Sequence, residues 1–203
     1  MNATTAASTP RHLLPRAERR ASILKAAARA FARNGFTDTS LDDVAREAGV
    51  TKMILYRHFE SKRHIYEALL EDMRNRLRAA TGAPHHMSER SIVALVDVAA
   101  ADPDGFRIYF LHAASETEFR PHADQLRQNM AGVAGDWLAQ RIPDERMRSL
   151  AAQLVPTLTI HMILAWLDAG QPPVDVAAVI QSVLAAATMA LVQHQGPSGS
   201  ATE

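Results

Sequence analysis

The sequence contains no cysteine and little glycine, and both shortages narrow the classes of protein it can encode. Without cysteine, disulfide bonds, thiolate metal sites and cysteine nucleophiles are excluded. Only nine glycines occur in 203 residues, runs of β-branched residues are scarce, and alanine and leucine are abundant. Because 47% of the residues are hydrophobic, the chain can bury a sizeable core. Together these features predict an all-α protein.

Long apolar runs are also missing. The longest apolar runs are interrupted before they reach the length of a membrane span, by Pro156, His161 and Asp168. The first twenty residues lack the apolar core of a signal peptide and become basic where a cleavage site would lie. We therefore expect a cytoplasmic protein with no membrane partner, in which residues 1–15 form a disordered arm.

The chain has no net charge, but its charges are unevenly distributed. Between Arg11 and Arg78 there are 15 Lys and Arg against nine Asp and Glu, whereas the remainder holds seven against 13. The first third thus has a positive excess that suits a polyanionic partner such as nucleic acid. Two interpretations suit the arginines near the N-terminus: an ordinary solvated segment, or an arm that touches the minor groove or the phosphates of DNA. These arginines are Arg11, Arg16, Arg19 and Arg20.

Helical periodicity and capping residues divide the chain into helices. Three hydroxyl residues are placed as N-caps before apolar-periodic segments: Ser40, Thr51 and Ser61. Gly35 and Gly49 are typical of helix ends. The predicted helices run at about 16–35, 40–49, 51–60, 62–80, 89–101, 104–116, 121–141, 144–169 and 174–194. Pro156 lies inside the eighth and predicts a kink rather than a stop.

The stretch from Thr39 to Lys62, TSLDDVAREAGVTKMILYRHFESK, has the spacing of a helix-turn-helix motif. Ala45 suits a close crossing of the two helices, and Gly49 suits a turn residue with positive φ. The apolar seam between the helices is supplied by Val44, Ala48, Val50 and Leu55. We therefore expect a helix-turn-helix domain at 16–62, a connecting helix at 62–80, a C-terminal helical ligand-binding and dimerisation domain at 81–194, and a flexible tail at 195–203.

The surface left over by this packing suits duplex DNA. Base-reading positions are predicted at the start of the second helix of the motif, for Lys52, Met53 and Ile54. Donors that can reach phosphate oxygens follow them: Tyr56, Arg57, His58 and Lys62. Arg57 could equally donate two hydrogen bonds to the edge of a guanine base. Asp42 could accept from a cytosine amino group or act only on the helix dipole.

The residues from Phe31 to Lys62 resemble the DNA-binding domain of the tetracycline-repressor (TetR) family of bacterial transcription regulators. The resemblance covers roughly residues 16–70 and is carried by Asn34-Gly35-Phe36, Val44-Ala45, Ala48-Gly49-Val50, Leu55-Tyr56, His58-Phe59 and Ser61-Lys62. It implies phosphate contacts by Thr39, Ser40, Tyr56, His58 and Lys62, and base reading by Lys52, Met53 and Ile54. The chain departs from the family in having Met53-Ile54 where a small pair is common, which favours contacts with thymine methyl groups.

Aromatic and polar residues recur at helical spacing in the C-terminal part: Phe106, Tyr109, Phe110, Trp137, His161, Met162 and Trp166. Core packing accounts for this spacing, whereas the resemblance implies that they line a pocket for a small, largely apolar effector. His85 and His86 are assigned to a loop, because no acidic or thiol partner is near them in the sequence. No catalytic residue, metal site or cofactor is predicted, and no nucleophile-elbow pattern occurs.

The last two predicted helices are apolar over wide arcs and rich in alanine, which favours pairing with the same helices of a second copy. Such a homodimer would present two motifs to a palindromic operator with half-sites ~34–36 Å, or a multiple, apart. The sequence therefore predicts a sequence-specific DNA-binding transcriptional regulator, a repressor released by a small molecule. Two alternatives stay open: a DNA-binding dimer controlled by a protein partner or by no ligand, and an enzyme with an accessory helix-turn-helix.

Overall fold

The computed structural model describes residues 15–82 and 89–193, and all regular structure within these ranges is helical. The all-α prediction is confirmed. The elements are α1 Arg16–Asp38, α2 Leu41–Ala48, α3 Lys52–His58, α4 Lys62–Thr81, α5 Glu89–Ala101, α6 Pro103–Arg107, a π-helical segment Ile108–His112, α7 Ala113–Ser115, α8 Arg120–Leu138, α9 Glu145–Asp168 and α10 Val176–Gln193. The predicted disordered arm (apart from Pro15), His85 and His86, and the predicted tail lie outside the described residues.

Local capping chemistry defines the short helices of the N-terminal motif. The Asp43 amide donates to Ser40 Oγ over 3.1 Å, and the Ser40 amide donates to the Asp43 carboxylate over 3.0 Å, which completes the capping box. Hydrogen bonds from the Ser40 side chain and amide, and then from Arg46, lower the pKa of Asp43 to about 2. Gly49 ends α2 with φ 63°, a left-handed conformation that favours glycine. The N-cap at Ser40 and the positive φ at Gly49 were predicted and are confirmed.

An aromatic cluster joins the motif to the rest of the protein. It is formed by Phe31 and Phe36 of α1, Tyr66 of α4, and Phe119, the residue that precedes α8. The ring centroids of Tyr66 lie 5.1 Å from Phe31, 5.0 Å from Phe36 and 4.6 Å from Phe119. Phe31, Tyr66 and Phe119 are essentially inaccessible to solvent. The cluster therefore packs the end of α1, the first half of α4 and the entry to α8 into one core.

The predicted helix at 104–116 is the place where sequence periodicity was least informative. It is divided into α6, the π-helical segment and α7. Asp102 caps α6 by accepting from the Gly105 amide over 3.0 Å, and a Cβ at Gly105 would lie 2.5 Å from Asp102 Oδ2. In the π-helical segment, the Phe110 carbonyl accepts a hydrogen bond from Arg127 of α8 over 2.8 Å.

Two long C-terminal helices, α9 and α10, complete the core. Helix α9 continues through Pro156 as predicted, and α8 ends three residues before the expected 141 because the chain turns there and buries Ile142. Both α9 and α10 are long and apolar enough to cross a membrane, because average hydropathy tolerates residues that were treated as breaks in the sequence. Half of the apolar window of α9 is buried, against 22% for α10. Helix α10 thus leaves most of its apolar surface uncovered.

Candidate nucleic-acid interface and internal cavity

Helix α3 presents four of the predicted DNA-binding residues on an exposed face: Lys52, Met53, Tyr56 and Arg57. The orientation is set by Leu55, which is only 1% exposed and packs into the core on the opposite side. Met53 and Tyr56 are 67% and 53% exposed, which is unusual for large side chains with so much apolar surface. Ile54 is half-buried against the core and offers less of its surface to a partner.

Lys52 is paired with Asp42 across the motif, a contact that the sequence analysis did not anticipate. The Lys52 ammonium lies 3.0 Å from Asp42 Oδ2, and this hydrogen bond raises the pKa of Lys52. Of the two roles considered for Asp42, neither included this pairing. An ion pair this exposed contributes only ~0–1 kcal/mol, so an approaching phosphate or base can displace it at little cost.

Three predicted phosphate-contacting side chains are engaged within the protein. Thr39 is 1% exposed, and its hydroxyl donates to the Gly35 carbonyl over 2.6 Å. Ser40 Oγ is occupied in the capping box. The Lys62 ammonium donates to the Phe36 and Thr37 carbonyls over 2.7 and 3.2 Å. These side chains hold the end of α1 against α2 and α4, so side-chain contacts with phosphate would require them to change partners.

The end of α3 adjoins the start of α1, where three arginines extend the positive surface. His58 is half-buried, and its Nδ1 is buried without a hydrogen-bond partner among the described residues. Burial lowers the pKa of His58, and the charges of Arg16, Arg19 and Arg20 lower it further. The guanidinium of Arg20 lies 4.8 Å from the Phe59 ring centroid. The three arginines thus belong to a folded helix beside the exposed face of α3, and Arg11 lies outside the described residues.

A cavity of about 550 Å³ lies among α4, α5, the π-helical segment, α8 and α9. Its buried wall includes Leu77, Ile92, Leu95, Tyr109, Val155 and Thr159, and half-buried Leu126, Met130 and Val133 extend the apolar surface. The exposed lining residues include Arg78, Gly82, Pro121, Gln125 and Asn129. The Tyr109 hydroxyl donates to the His122 carbonyl over 2.9 Å, and burial raises the pKa of this tyrosine. Both the volume and the mainly apolar lining are typical of small-molecule sites.

Of the seven residues predicted to line a pocket, only Tyr109 borders this cavity. The other six do not border it, and their part in a ligand pocket stays a prediction. Phe106 and Phe110 stack on each other in the core, and Trp137 lies under the Arg141 guanidinium. Trp166 donates from its indole to the Pro172 carbonyl, Met162 is half-buried, and His161 is exposed. Helical spacing identifies inward-facing residues, but it does not distinguish a packed core from a cavity.

The cavity residues that the sequence analysis missed come mainly from α4 and α8. Arg74, Leu77 and Arg78 recur at a spacing of three and four on α4, which had been assigned only a connecting role. That spacing was the available signal for a shared face. Within residues 15–82 and 89–193, no three His, Asp or Glu side chains lie close enough to hold a metal ion.

Comparison with known proteins bears on both parts of the fold. Residues 23–69 match the family described as bacterial regulatory proteins, tetR family. The chain is 34% identical over 105 residues to the transcriptional activator FasR of Mycolicibacterium smegmatis, so the match spans about half of that protein (48% of each chain). It is 29% identical over 160 residues to the transcriptional repressor BepR of Brucella suis, covering 73% of this chain and 77% of BepR.

Solved structures share the architecture over most of the chain. A TetR-like regulator from Rhodococcus sp. RHA1 superposes with a TM-score of 0.73 at 22% identity, covering 88% of this chain and 99% of the other. FadR from Bacillus subtilis, solved with stearoyl-CoA, superposes with a TM-score of 0.61 at 20% identity, covering 85% and 97%. The helix-turn-helix, the C-terminal helices and these similarities agree, and together they support a TetR-family transcriptional regulator.

Proposed function

We propose that the protein is a homodimeric repressor whose affinity for a palindromic operator falls when a small, largely apolar molecule occupies the cavity. The observation that carries this proposal is the course of α4. Its first residue, Lys62, is bonded to the end of α1, and its last turns supply Arg74, Leu77, Arg78 and Thr81 to the cavity lining. A ligand that displaces α4 therefore acts on the helix that supports the DNA-binding motif.

A second connection runs from the cavity to α4 through the segment before α8. Pro121 and His122 line the cavity, and Phe119 just before them packs against Tyr66. Glu118 forms an ion pair with Arg63 in the first turn of α4. Ligand-induced movement of the α8 start would thus reach α4 at its DNA-proximal end. Coupling between two sites is typically ~1–3 kcal/mol, or about 5–150-fold in affinity.

For the DNA-binding surface, we assign direct contacts to the exposed face of α3. Met53 would contact thymine methyl groups, Lys52 would leave Asp42 for a base or phosphate, and Tyr56 and Arg57 would donate to phosphate oxygens. His58 would approach DNA only with its exposed edge. Thr39, Ser40 and Lys62 would contribute through backbone amides or after releasing their present partners, and Ile54 through its exposed part.

The dimer is proposed to form through α9 and α10, with a second copy of the chain as the occupant of the exposed α10 face. Val179, Val183, Ala186 and Met189 recur at helical spacing on that face and are exposed. The valines and the alanine among them allow close packing in a four-helix arrangement. A two-fold dimer would also supply the second recognition helix that a palindrome requires. We place the protein in the cytoplasm, where it meets DNA.

Repression rather than activation is supported by the similarity to BepR, which covers a greater share of both chains than the similarity to FasR. The effector is proposed to be a small molecule because the cavity is open and mainly apolar rather than filled by side chains. This also separates the proposal from a regulator that answers to a protein partner. No enzymatic activity is proposed, in keeping with the names of the relatives.

Selection of genomic fragments bound by the purified protein would test this function, followed by a thermal-shift screen of small molecules against the protein. We expect enrichment of a palindromic sequence, and we expect compounds that raise the unfolding temperature to weaken operator binding about 5–150-fold. Enrichment of no sequence would overturn the regulator assignment. Stabilising compounds that leave DNA affinity unchanged would overturn the proposed release mechanism.

Substitutions on α3 should separate base reading from backbone binding. Replacing Met53 by alanine should reduce discrimination between the selected operator and a mismatched duplex by about 5–150-fold at the affected base pair. Tyr56→Phe should instead weaken binding to both duplexes about tenfold, because it removes a donor to a charged phosphate. Fluorescence anisotropy at one fixed salt concentration measures both effects. Gln128→Ala, on the exposed surface of α8, serves as the control; equal losses for both α3 variants on every duplex would contradict the assigned roles.

The contact between Arg63 and Glu118 should affect the coupling between ligand binding and operator binding more than it affects the affinity for either partner alone. Glu118→Gln removes the ion pair while retaining the size of the side chain. We expect operator affinity without ligand, and ligand affinity without DNA, to stay within about threefold, whereas the ligand-induced loss of DNA affinity should shrink severalfold. Titration of the operator complex with a compound from the screen measures this difference. Asp136→Asn, on the exposed surface of α8, is the control with the same charge change, and undiminished coupling in Glu118→Gln would exclude this connection.

A further inference from the structure

The charged groups of the cavity are all of one sign. Its lining includes Arg74 and Arg78 and, within the described part of the chain, no aspartate or glutamate. The two arginines are four residues apart on α4 and therefore lie on the same side of the helix. A cationic ligand would be repelled here, whereas an anion would be attracted.

Arg74 has an unused hydrogen-bonding group at this site. Its Nε is buried and has no hydrogen-bond partner among the described residues. Its Nη2 is only loosely paired, 3.4 Å from the Glu71 carboxylate. A buried donor on a charged group without a partner is costly, and a bound acceptor would remove that cost. The guanidinium fork is suited to a planar carboxylate or to a phosphate, both of which it can bind through two parallel hydrogen bonds.

The charge of Arg74 reaches the interior of the cavity. Burial raises the pKa of Tyr109, and the positive charge of Arg74 is the foremost influence that opposes this rise. The Tyr109 hydroxyl is already committed to the His122 carbonyl, so its proton does not neutralise a ligand charge. Among the charged side chains that line the cavity, Arg78 is exposed and has no ion-pair partner within residues 15–82 and 89–193. Two cationic groups are thus available at one cavity.

The remaining walls of the cavity are apolar, so the ligand also needs an apolar part. Leu77, Ile92, Leu95 and Val155 are buried there, and Leu126, Met130 and Val133 are half-buried. An ion without an apolar body would leave these side chains exposed to water inside the cavity. A hydrocarbon without a charge would leave Arg74 Nε unpaired. A molecule that joins an anionic head group to an apolar body satisfies both parts of the lining.

We infer that the effector is an amphiphilic anion, in which Arg74, assisted by Arg78, binds a carboxylate or phosphate head group while an alkyl chain occupies the apolar part of the cavity. This inference rests on the proposed function, since it specifies the ligand of the same cavity. Each additional methylene group that is buried should strengthen binding about fourfold, until the cavity is filled.

Isothermal titration calorimetry of the full chain, without DNA, would test the inference with three probes of equal chain length below their micellar concentrations. The probes are sodium dodecanoate, dodecyl phosphate and uncharged dodecan-1-ol. We expect at least one of the two anions to bind ten or more times more tightly than the alcohol. A preference for dodecanoate over dodecyl phosphate, or the reverse, identifies the head group.

Arg74→Gln should weaken binding of the preferred anion at least tenfold and change binding of dodecan-1-ol less than twofold. Arg78→Gln changes an exposed position and does not threaten folding, and it should weaken binding of the anion by a smaller factor. Arg146→Gln removes the same charge outside the cavity lining, and it should weaken binding of neither probe. The inference fails if the alcohol binds as well as both anions, if neither anion binds, or if Arg74→Gln affects charged and uncharged probes equally. These outcomes are independent of DNA. If the anion binds through Arg74 but leaves operator affinity unchanged, the release mechanism fails while the ligand assignment stands.

Discussion

Val183→Glu should convert the protein to a monomer and weaken its binding to a two-half-site operator at least a hundredfold. Val183 is 38% exposed on α10, within the row of exposed apolar residues that includes Val179 and Met189. In the proposed dimer this face is buried against its counterpart. A glutamate there would place two like charges, one from each copy, in an apolar interface. Removing a carboxylate from water without a partner costs several kcal/mol, enough to dissociate the pair.

The DNA result follows from the geometry of a palindrome. A dimer loses translational freedom only once when it binds both half-sites, so the second half-site adds strongly to the affinity. A monomer has a single recognition helix and binds one half-site weakly. Sedimentation velocity measures the association state, and anisotropy with one and two half-sites measures the loss of affinity. Val93→Glu is a matched control, because Val93 is 44% exposed and lies on α5 rather than on α9 or α10. A Val183→Glu protein that stays dimeric and binds the operator normally would place the interface elsewhere.

The parts of the structure that could be predicted from the sequence are those set by local signals, and the apolar arc of α10 is one of them. Apolar arcs, caps and glycine turns are local signals, so the bounds of α2, the capping of α3 and α4, and all of α5 followed from residue spacing. The turn at Gly49 was predictable for the same reason, because positive φ at a helix end strongly favours glycine. These features depend on residues within one or two turns of each other.

The features that were missed depend on residues distant in the chain. Lys62 was assigned to phosphate both from its position after α3 and by resemblance, yet its ammonium donates to carbonyl groups 25 and 26 residues earlier. The Lys52 and Asp42 side chains pair across two helices whose relative placement no spacing rule supplies. The lining of the cavity was not predicted, because both core and cavity residues face inward, and only the packed structure shows that α4 and α8 line an unfilled volume. Sequence periodicity therefore indicated the exposed face of α3 better than it indicated the cavity lining.

The largest effect on stability is expected for Phe31→Ala, which should lower the free energy of unfolding by ~3–5 kcal/mol. Phe31 has no exposed surface, and its ring packs edge-on against Tyr66 with centroids 5.1 Å apart. Alanine would remove most of this side chain and leave a cavity that neighbouring rigid rings fill poorly. Since typical domains are stable by only ~5–15 kcal/mol, the variant should lose a substantial fraction of its total stability.

This loss should reach beyond the N-terminal motif, because the same aromatic cluster contains Tyr66 of α4 and Phe119 before α8. Urea denaturation at one fixed protein concentration measures the change, since unfolding of a dimer depends on concentration. Leu111→Ala provides the comparison: Leu111 is 51% exposed, and its truncation should change stability by less than ~0.5 kcal/mol. If Phe31→Ala also costs less than about 1 kcal/mol, the cluster does not tie the N-terminal motif to the C-terminal helices, and the proposed coupling would depend on α4 itself and on the Arg63–Glu118 ion pair.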